Sequence, residues 1–291
     1  MKLLIAGHSA LDTIITGDKV TSSPGGIIYN VLGVVACSKS DDNIFLLTGL
    51  DKSASEFAEV FTNCNLEFSS EIESVIRVEL TLFEDKEREE KYLYMPGPLG
   101  FPPFDKLNDF NGILLNFISG NDFTLLDVEA IRKNYSGIMY ADIHSLSRGI
   151  NEEGEREFRL IPEISRWLKC FDVVQVNENE LFTLSCYKRE REIAQYVLEH
   201  GVKILIVTKG ELGAGAYYLS EDELEYIFVS AEKVEVNNRV GCGDIFGAFF
   251  FYYYVEGKNI LQALKNGIEG AGKIVEYSPG SAFSEIIEKL K

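Results

Sequence analysis

A glycine-rich turn that ends in an acidic residue carries the clearest chemistry in this sequence. Gly241, Cys242, Gly243 and Asp244 follow a predicted strand and open a strongly apolar helix. Small residues in such a turn let backbone N–H groups converge on an anion, and the helix N-terminus adds its dipole. Asp244 would accept a hydroxyl proton while phosphate charge develops beside it. We predict an anion hole with a general base at its side; the alternative is an acidic residue that only complements the helix dipole.

Polar residues near the N-terminus predict a second binding site. Asp12 comes just after the first predicted strand, where a carboxylate can accept hydrogen bonds from two hydroxyl groups of a ligand. Gly25 and Gly26 allow the backbone to approach a ligand closely, and Asn30 falls one helical turn later on the same face. The structural alternatives are a turn or N-cap role for Asp12 and helix initiation after Pro24 for the glycines.

Asn177 and Glu180 predict either a metal site or a helix start. Their spacing places both side chains on one face of a turn, and oxygen ligands there suit Mg²⁺ with its retained waters. The same pair fits a capping box with Asn177 as the N-cap. From the residues alone the capping box is the favoured interpretation.

Further polar residues follow predicted strands and are open to two interpretations. Asp142, His144 and Arg148 would lie near a substrate or belong to an ordinary loop. Asn116 would line the same pocket or pack in the core. Lys209 would contact a nucleotide phosphate or face solvent.

Short buried strands that alternate with helices must position these residues. Apolar, β-branched runs predict strands at 3–6, 44–47, 113–117, 138–140, 173–176 and 204–207. Helical patterns fall at 27–38, 54–63, 126–134, 155–168 and 190–200. This alternation predicts an α/β fold with a mostly parallel central sheet, flanked by helices on both faces, whose ligands bind at the carboxyl ends of the strands.

The region from 77 to 94 breaks this alternation. Apolar residues at period two, followed by a charged stretch, predict a hairpin with an acidic tip. An isolated hairpin is marginal in water, so we expect it to form a small β lid over the active site or a dimer contact. Residues 95–103, which hold four of the seven prolines, are the predicted hinge.

The C-terminal third is predicted to change pattern after Gly210. Strands are predicted at 214–219, 226–229 and 232–236. Helices then begin near Asp244 and near Asn259, and a short helical tail follows.

Composition excludes several classes of protein. The chain has 291 residues and a net charge of −18 at pH 7, which argues against nucleic-acid or anionic-membrane partners. No run reaches the roughly 18 apolar residues of a membrane span, and no secretory signal begins the sequence. Five cysteines without a CxxC motif and three histidines disfavour zinc and indicate a reduced, cytoplasmic protein.

Several of these segments together resemble the ribokinase-like (pfkB-type) carbohydrate kinases. GCGDIFGAFF at 241–250 resembles the family's second signature, and Asn177 and Glu180 match its Asn-x-x-Glu motif. The remaining pieces, in the family's order, are GHSALD at 7–12, PGGIIYN at 24–30, TKGELG at 208–213 and SPGS at 278–281. The resemblance covers essentially the whole chain.

The resemblance implies one ribokinase-like domain over 1–291, with a β lid around 70–95 and parts of the segment after the first strand. It implies an ATP-dependent kinase that phosphorylates a hydroxyl of a sugar or sugar-like molecule, with Mg²⁺, and a possible homodimer through the lid. Asp244 would be the general base and residues 241–244 the anion hole. The implied acceptor-binding residues are Asp12, Gly25, Gly26 and Asn30; the implied nucleotide-binding residues are Asn177, Thr208, Gly210, Gly213 and Arg239; the implied metal-binding residues are Asn177 and Glu180.

The sequence departs from the family pattern just before the glycine-rich turn. Asn238 and Arg239 replace the usual Asp-Thr pair, and Cys242 replaces an Ala. Loss of the Asp puts monovalent-cation activation in doubt, whereas Arg239 adds a cation that could grip a phosphate. The alternatives are a kinase of a nucleoside or phosphosugar and a non-catalytic nucleotide- or sugar-binding protein. A Rossmann-type dehydrogenase is disfavoured because no G-x-G-x-x-G follows the first strand.

Overall fold

The computed structural model describes residues 1–51, 57–83, 89–234, 240–276 and 282–291. Within them the strands are β1 (Lys2–Ala6), β2 (Ser9–Thr16), β3 (Lys19–Gly26), β4 (Asn43–Leu47), β5 (Gly49–Asp51), β6 (Ser70–Ile72), β7 (Ile76–Thr81), β8 (Glu89–Tyr94), β9 (Gly112–Asn116), β10 (Ile138–Asp142), β11 (Arg148–Ile150), β12 (Arg156–Phe158), β13 (Val173–Asn177), β14 (Ile204–Thr208), β15 (Gly213–Ser220) and β16 (Glu223–Ser230). The α-helices are α1 (Ile28–Cys37), α2 (Ala58–Phe61), α3 (Leu125–Asn134), α4 (Ile164–Leu168), α5 (Glu178–Leu181), α6 (Glu190–Glu199), α7 (Cys242–Gly257), α8 (Ile260–Val275) and α9 (Phe283–Leu290).

An eight-stranded sheet, called here the large sheet, forms the centre of the fold. Its order is β16-β15-β14-β13-β10-β9-β1-β4. The strands from β14 to β4 are parallel to their neighbours, and β15 and β16 add an antiparallel edge. The predicted mostly parallel sheet is therefore confirmed, and the six predicted core strands all belong to it.

Helices cover both faces of the large sheet, as the alternation predicts. Leu3 and Ile5 of β1 pack in the core that contains α1, α7 and α8. Leu4 and Ala6 point the other way and pack in the core that contains α3, α4 and α6. Successive residues of a strand face opposite sides of a sheet, so β1 is apolar at every one of these positions.

A second, four-stranded sheet, called here the small sheet, has the order β3-β2-β7-β8. The predicted hairpin from 77 to 94 is confirmed as β7 and β8, and its tip at 84–88 lies outside the described residues. Strands β2 and β3 pair with each other and join this hairpin through β7. The residue pattern did not predict β2 and β3, although the family resemblance assigned parts of the segment after the first strand to the β lid.

The predicted helix at 155–168 is wrong over its first half. Residues Arg156–Phe158 form β12, and the helix begins only at Ile164. The Arg156 side chain is drawn inward, where Nη1 donates to the Ser119 carbonyl oxygen over 2.7 Å. Pro162 also lacks the N–H that a helix interior requires, which delays the helix start.

Two other predicted elements are only partly present. The helix predicted at 54–63 is observed as Ala58–Phe61, with 54–56 outside the described residues. In the strand predicted at 232–236, residues 232–234 are irregular and the rest lies outside the described residues. None of the helices in the described parts of the chain is long and apolar enough to cross a membrane.

Candidate active site

The carboxyl ends of the parallel strands bring several predicted polar residues to one edge of the large sheet. Asp142 at the end of β10 pairs in register with Asn116 on β9 and with Gln175 on β13. Asn177 at the end of β13 pairs with Thr208 at the end of β14. This is the edge at which ligands bind in open parallel sheets.

Asp244 lies half-buried in the first turn of α7 and is held by two asparagines. Asn116 Nδ2 donates to Asp244 Oδ1 over 2.7 Å and to Asn30 Oδ1 over 2.7 Å. Asn30 Nδ2 donates to the backbone carbonyl of Asp244 over 2.9 Å. Both asparagines are fully buried, so this network fixes the Asp244 carboxylate relative to α1 and β9. The observed contacts of Asn30 are to α7, and its contact with an acceptor remains a prediction.

The structure requires glycine at only one of the two glycine positions in the α7 turn. Gly241 has a φ of 81°, and a Cβ there would lie 2.4 Å from the Tyr29 ring, so the fold itself requires glycine. At Gly243 the nearest atom to an added Cβ is Gln175 Nε2 at 3.8 Å, so the protein leaves room for a side chain. The first N–H groups of a helix have no partner within it. The turn thus presents backbone donors next to an open space at Gly243.

Asp12 lies on β2, and not in a loop after the first strand as predicted. A Cβ added at Gly25 would lie 2.1 Å from Asp12 Oδ2, so the carboxylate rests against the bare backbone of Gly25. Gly26 has a φ of 66°, and a Cβ there would lie 2.5 Å from the His8 carbonyl oxygen. Both glycines end β3, directly before the chain turns into α1. They are required by the packing of Asp12 and by the turn into α1.

A cleft between the small sheet and the edge of the large sheet brings the two predicted carboxylates together. Its polar lining consists of Asp12, Tyr29, Glu90, Tyr92, His144 and Asp244. Burial raises the pKa of Tyr29 well above its usual range, and the charges of Asp12 and Asp244 raise it further. Tyr29 therefore lies within electrostatic reach of both carboxylates.

Gln175 links the α7 turn to the edge of the large sheet. Its Nε2 atom donates to Asp142 Oδ2 over 2.8 Å and to the Gly243 carbonyl oxygen over 3.0 Å. Burial raises the pKa of Asp142 well above its usual range, and the charges of Asp244 and Glu180 add to this effect. Three carboxyl groups thus lie within electrostatic range of one another beside the N-terminus of α7.

Asn177 and Glu180 form the capping box that the residues alone favour. Asn177 Oδ1 accepts from the backbone N–H of Asn179 and Glu180, each over 2.9 Å, and Glu180 Oε2 accepts from the Asn177 N–H over 2.8 Å. The other carboxylate oxygen of Glu180 lies 3.9 Å from His144 Nδ1. Asn177 is therefore already engaged in the cap. The metal role of Glu180 stays a prediction, in which its carboxylate would contact a water bound to Mg²⁺.

The residues predicted to meet a nucleotide lie around the end of β14. Thr208 Oγ1 donates to a backbone carbonyl of β13 over 3.4 Å, and Lys209 Nζ lies 2.7 Å from Glu190 Oε2. Gly210 has a φ of 52° in an open position, whereas a Cβ at Gly213 would lie 2.1 Å from a β16 carbonyl oxygen. The packing of β15 against β16 therefore requires glycine at position 213, and Lys209 forms an ion pair with Glu190.

Two further predictions concern residues near the predicted phosphate site. Arg239 and the segment 278–281 lie outside the described residues. Arg148, which was open to two interpretations, is buried with its guanidinium 4.1 Å from the ring centroid of Phe158.

Sequence reasoning did not predict four residues of the site: Tyr29, Glu90, Tyr92 and Gln175. Gln175 carries a visible signal, since it is a polar residue inside an otherwise apolar strand. Glu90 lies two residues before Tyr92, so both side chains are on the same face of β8. Alternation along the predicted hairpin would have indicated that Glu90 points inward with Tyr92. Tyr29 carries no such signal, because only the packing of α1 against Gly241 brings it to the cleft.

Comparison with known proteins agrees with this architecture. The family model described as pfkB family carbohydrate kinase matches residues 154–286. The deoxyribokinase of Salmonella typhi is 31% identical over 137 residues, which cover 43% of this chain and 43% of that relative. The chain thus spans less than half the length of the curated relatives it matches.

Solved structures share the fold along nearly the whole chain. A sulfate complex of a pyrophosphate-dependent kinase in the ribokinase family has a TM-score of 0.80 at 17% identity, over 98% of this chain and 99% of that one. Arabidopsis thaliana ribokinase, complexed with ribose and ATP, has a TM-score of 0.73 at 16% identity, over 99% and 97%. The chain therefore shares the fold of these ribokinase-family structures, and residues 154–286 match the pfkB family carbohydrate kinase model.

Proposed function

We propose that this protein is a kinase that transfers a phosphoryl group to a hydroxyl of a sugar or sugar-like molecule. One observation carries the proposal: Asp244, at the N-terminus of α7, shares a cleft with Asp12 from the small sheet. A group that can take a hydroxyl proton thus faces a group that can bind hydroxyls. The family's curated relatives, which include a deoxyribokinase and a fructokinase, support the same class of reaction.

Asp244 acts as the general base. Asn116 orients its carboxylate through the hydrogen bond to Oδ1, and Asn30 holds the backbone of the same residue. Asp12 would hold the acceptor through neighbouring hydroxyls, and the reacting hydroxyl gives its proton to Asp244 while its oxygen bonds to phosphorus and the bond from phosphorus to the donor's leaving oxygen breaks. Positioning dominates such reactions, so the buried asparagine network is part of the catalytic arrangement.

The α7 turn receives the phosphoryl group. Backbone N–H groups of residues 241–244, aided by the helix dipole, stabilise the negative charge on the transferred group. Gln175 fixes the turn by its bond to the Gly243 carbonyl, and the open space at Gly243 admits the phosphate.

ATP with Mg²⁺ is the proposed donor. Glu180 would hold the ion through a bound water, and Asn177 would set the Glu180 side chain by the capping box. Mg²⁺, when bound, neutralises phosphate charge, which also relieves the repulsion among Asp142, Glu180 and Asp244. The small sheet lines one side of the cleft and would act as the lid that excludes water.

The test is acceptor-dependent release of ADP from Mg-ATP, measured against sugars, sugar phosphates, sugar acids and nucleosides. Pyrophosphate belongs in the donor panel, since one protein of the same fold is described as pyrophosphate-dependent. The test variant is Asp244→Asn. Its matched control is Asp222→Asn, at an exposed turn between β15 and β16. Turnover that survives Asp222→Asn and is lost in Asp244→Asn supports the proposal; equal turnover in both variants contradicts it.

A further inference from the structure

The cleft is lined by negative charge. Asp12, Glu90 and Asp244 all reach it, and among its described lining residues there is no Lys or Arg. Asp12 and Glu90 come from the small sheet and are 4% and 5% exposed. Charges in such a water-poor space interact far more strongly than they do at a surface.

Glu90 occupies a position that the strand pattern reserves for an apolar side chain. It pairs with Leu80 on β7, and Tyr92, two residues on, pairs with Val78. Leu80 and Val78 are buried at 5% each, so this face of the hairpin is its inner face. Burial of a carboxylate on an apolar face costs folding free energy. A charged residue at a position where the strand pattern expects an apolar one is typical of a functional site.

The inner face of the hairpin is held firmly over the cleft. Tyr92 donates from its hydroxyl to the Ile118 carbonyl oxygen over 2.8 Å, which docks β8 onto the loop after β9. The Arg156 guanidinium lies 4.8 Å from the centroid of the Tyr92 ring, and the Glu90 charge acts on it. The positive charge of Arg156 therefore partly compensates the buried charge of Glu90.

We propose that Glu90 is a specificity-determining residue that, with Asp12, selects an uncharged polyhydroxy acceptor. Each carboxylate accepts hydrogen bonds from hydroxyl groups, so two of them on one wall match a molecule with several hydroxyls. The same charges repel an acceptor that carries a phosphate or a carboxylate. This inference rests on the proposed function and selects, among its possible acceptors, neutral sugars, polyols and nucleosides over phosphosugars and sugar acids.

A purely structural role for Glu90, as counter-ion to Arg156, makes a different prediction. Loss of the charge would then lower the melting temperature and affect neutral and anionic acceptors alike. The discrimination between the two kinds of acceptor separates the two roles, because only a residue that faces the acceptor changes their ratio.

The experiment measures binding by calorimetry and turnover with matched pairs of acceptors. The pairs are ribose with ribose 5-phosphate, fructose with fructose 6-phosphate, and glucose with gluconate. The variants are Glu90→Gln and, as the matched control, Glu89→Gln, which removes the same charge from an exposed neighbour on the other face of β8. Melting temperatures of all variants report on folding.

In the unaltered protein, a neutral acceptor is expected to bind at least tenfold more tightly than its anionic partner. Glu90→Gln should raise the Kd and KM of that neutral acceptor about tenfold, because hydrogen bonds to a charged group are lost, with kcat and the donor KM little changed. Glu90→Gln should also reduce the ratio of the Kd of the anionic acceptor to the Kd of its neutral partner, whereas Glu89→Gln should leave this ratio unchanged.

Three results would overturn the role of Glu90. The anionic acceptors could bind more tightly than the neutral ones, no neutral acceptor could bind at all, or Glu90→Gln and Glu89→Gln could have equal effects. These outcomes differ from failure of the kinase proposal. That failure would appear as turnover that persists in Asp244→Asn, or as acceptor binding with no turnover from any donor.

Discussion

The two walls of the cleft are built in different ways. On the α7 wall, formed by residues 241–244, buried amide side chains behind the surface hold the reacting groups in place. On the small-sheet wall, formed by Asp12, Glu90 and Tyr92, charged groups themselves line the space and rest on bare backbone or a compensating arginine. Under the proposed function, the α7 wall would fix the geometry of the reacting groups and the small-sheet wall would discriminate between acceptors.

The largest effect short of removing the base is expected for Gly25→Ala on the small-sheet wall. The new Cβ would lie 2.1 Å from Asp12 Oδ2 and would displace the carboxylate. We expect kcat/KM for the acceptor to fall about 100-fold, as for an ångström-scale displacement of a binding group, with little change in donor KM. Steady-state kinetics with each substrate varied in turn measures this. Gly257→Ala is the control, since its Cβ would meet no atom within 4 Å; a change in donor KM alone would contradict the division between the walls.

A smaller effect, on the donor and not on the acceptor, is expected for Gly243→Ala on the α7 wall. The protein itself has room for this Cβ, and alanine is the better helix former, so the melting temperature should hold or rise. The methyl group would occupy the space proposed for the phosphate, so we expect donor KM to rise about tenfold with acceptor affinity unchanged. Kinetics and a thermal melt of the same preparation test this. Unchanged donor KM would exclude Gly243 from the donor site.

The smallest effect concerns the loop that supports the small-sheet wall. Buried Asp122 accepts from the His8 ring over 2.9 Å and from the Ser119 N–H over 2.8 Å. Burial alone would raise the pKa of Asp122, but these donors outweigh it and the pKa lies below its usual 3.8. Such a group contributes stability at pH values above 3.8, and that contribution is lost as pH falls through the depressed pKa.

Asp122→Asn should therefore be less stable than the unaltered protein near pH 7. The difference in melting temperature should shrink as pH falls below about 4. Thermal melts from pH 3 to pH 8 measure this difference. A difference that stays constant over the whole range would contradict an ionised Asp122 in the folded protein.

Sequence reasoning was most successful where burial is complete. The core strands of the large sheet are short apolar runs, and their ends fall within two residues of the predicted bounds. Completely buried parallel strands carry that signal because both of their faces are covered. The turn at 241–244 was likewise correctly expected at the N-terminus of a long helix.

The small sheet shows why the rest could not be predicted. Asp12 and Gly25 lie on β2 and β3, whose mixed polar residues hide the strand pattern. The inward position of Glu90 depends on its register with Leu80, which only the paired strands define. The asparagine network around Asp244 joins Asn30 and Asn116, which are 86 residues apart in the chain and meet only in the fold.

The most direct test of the account is the Asp244→Asn variant, compared with the unaltered protein under saturating donor and acceptor. We expect its kcat to fall about 10³-fold or more, since a positioned base contributes roughly 10² to 10⁴ and the carboxylate is fixed by Asn116. Calorimetric binding of both substrates and the melting temperature should remain near those of the unaltered protein. A kcat within a few-fold of the unaltered value would contradict the assignment of Asp244 as the general base.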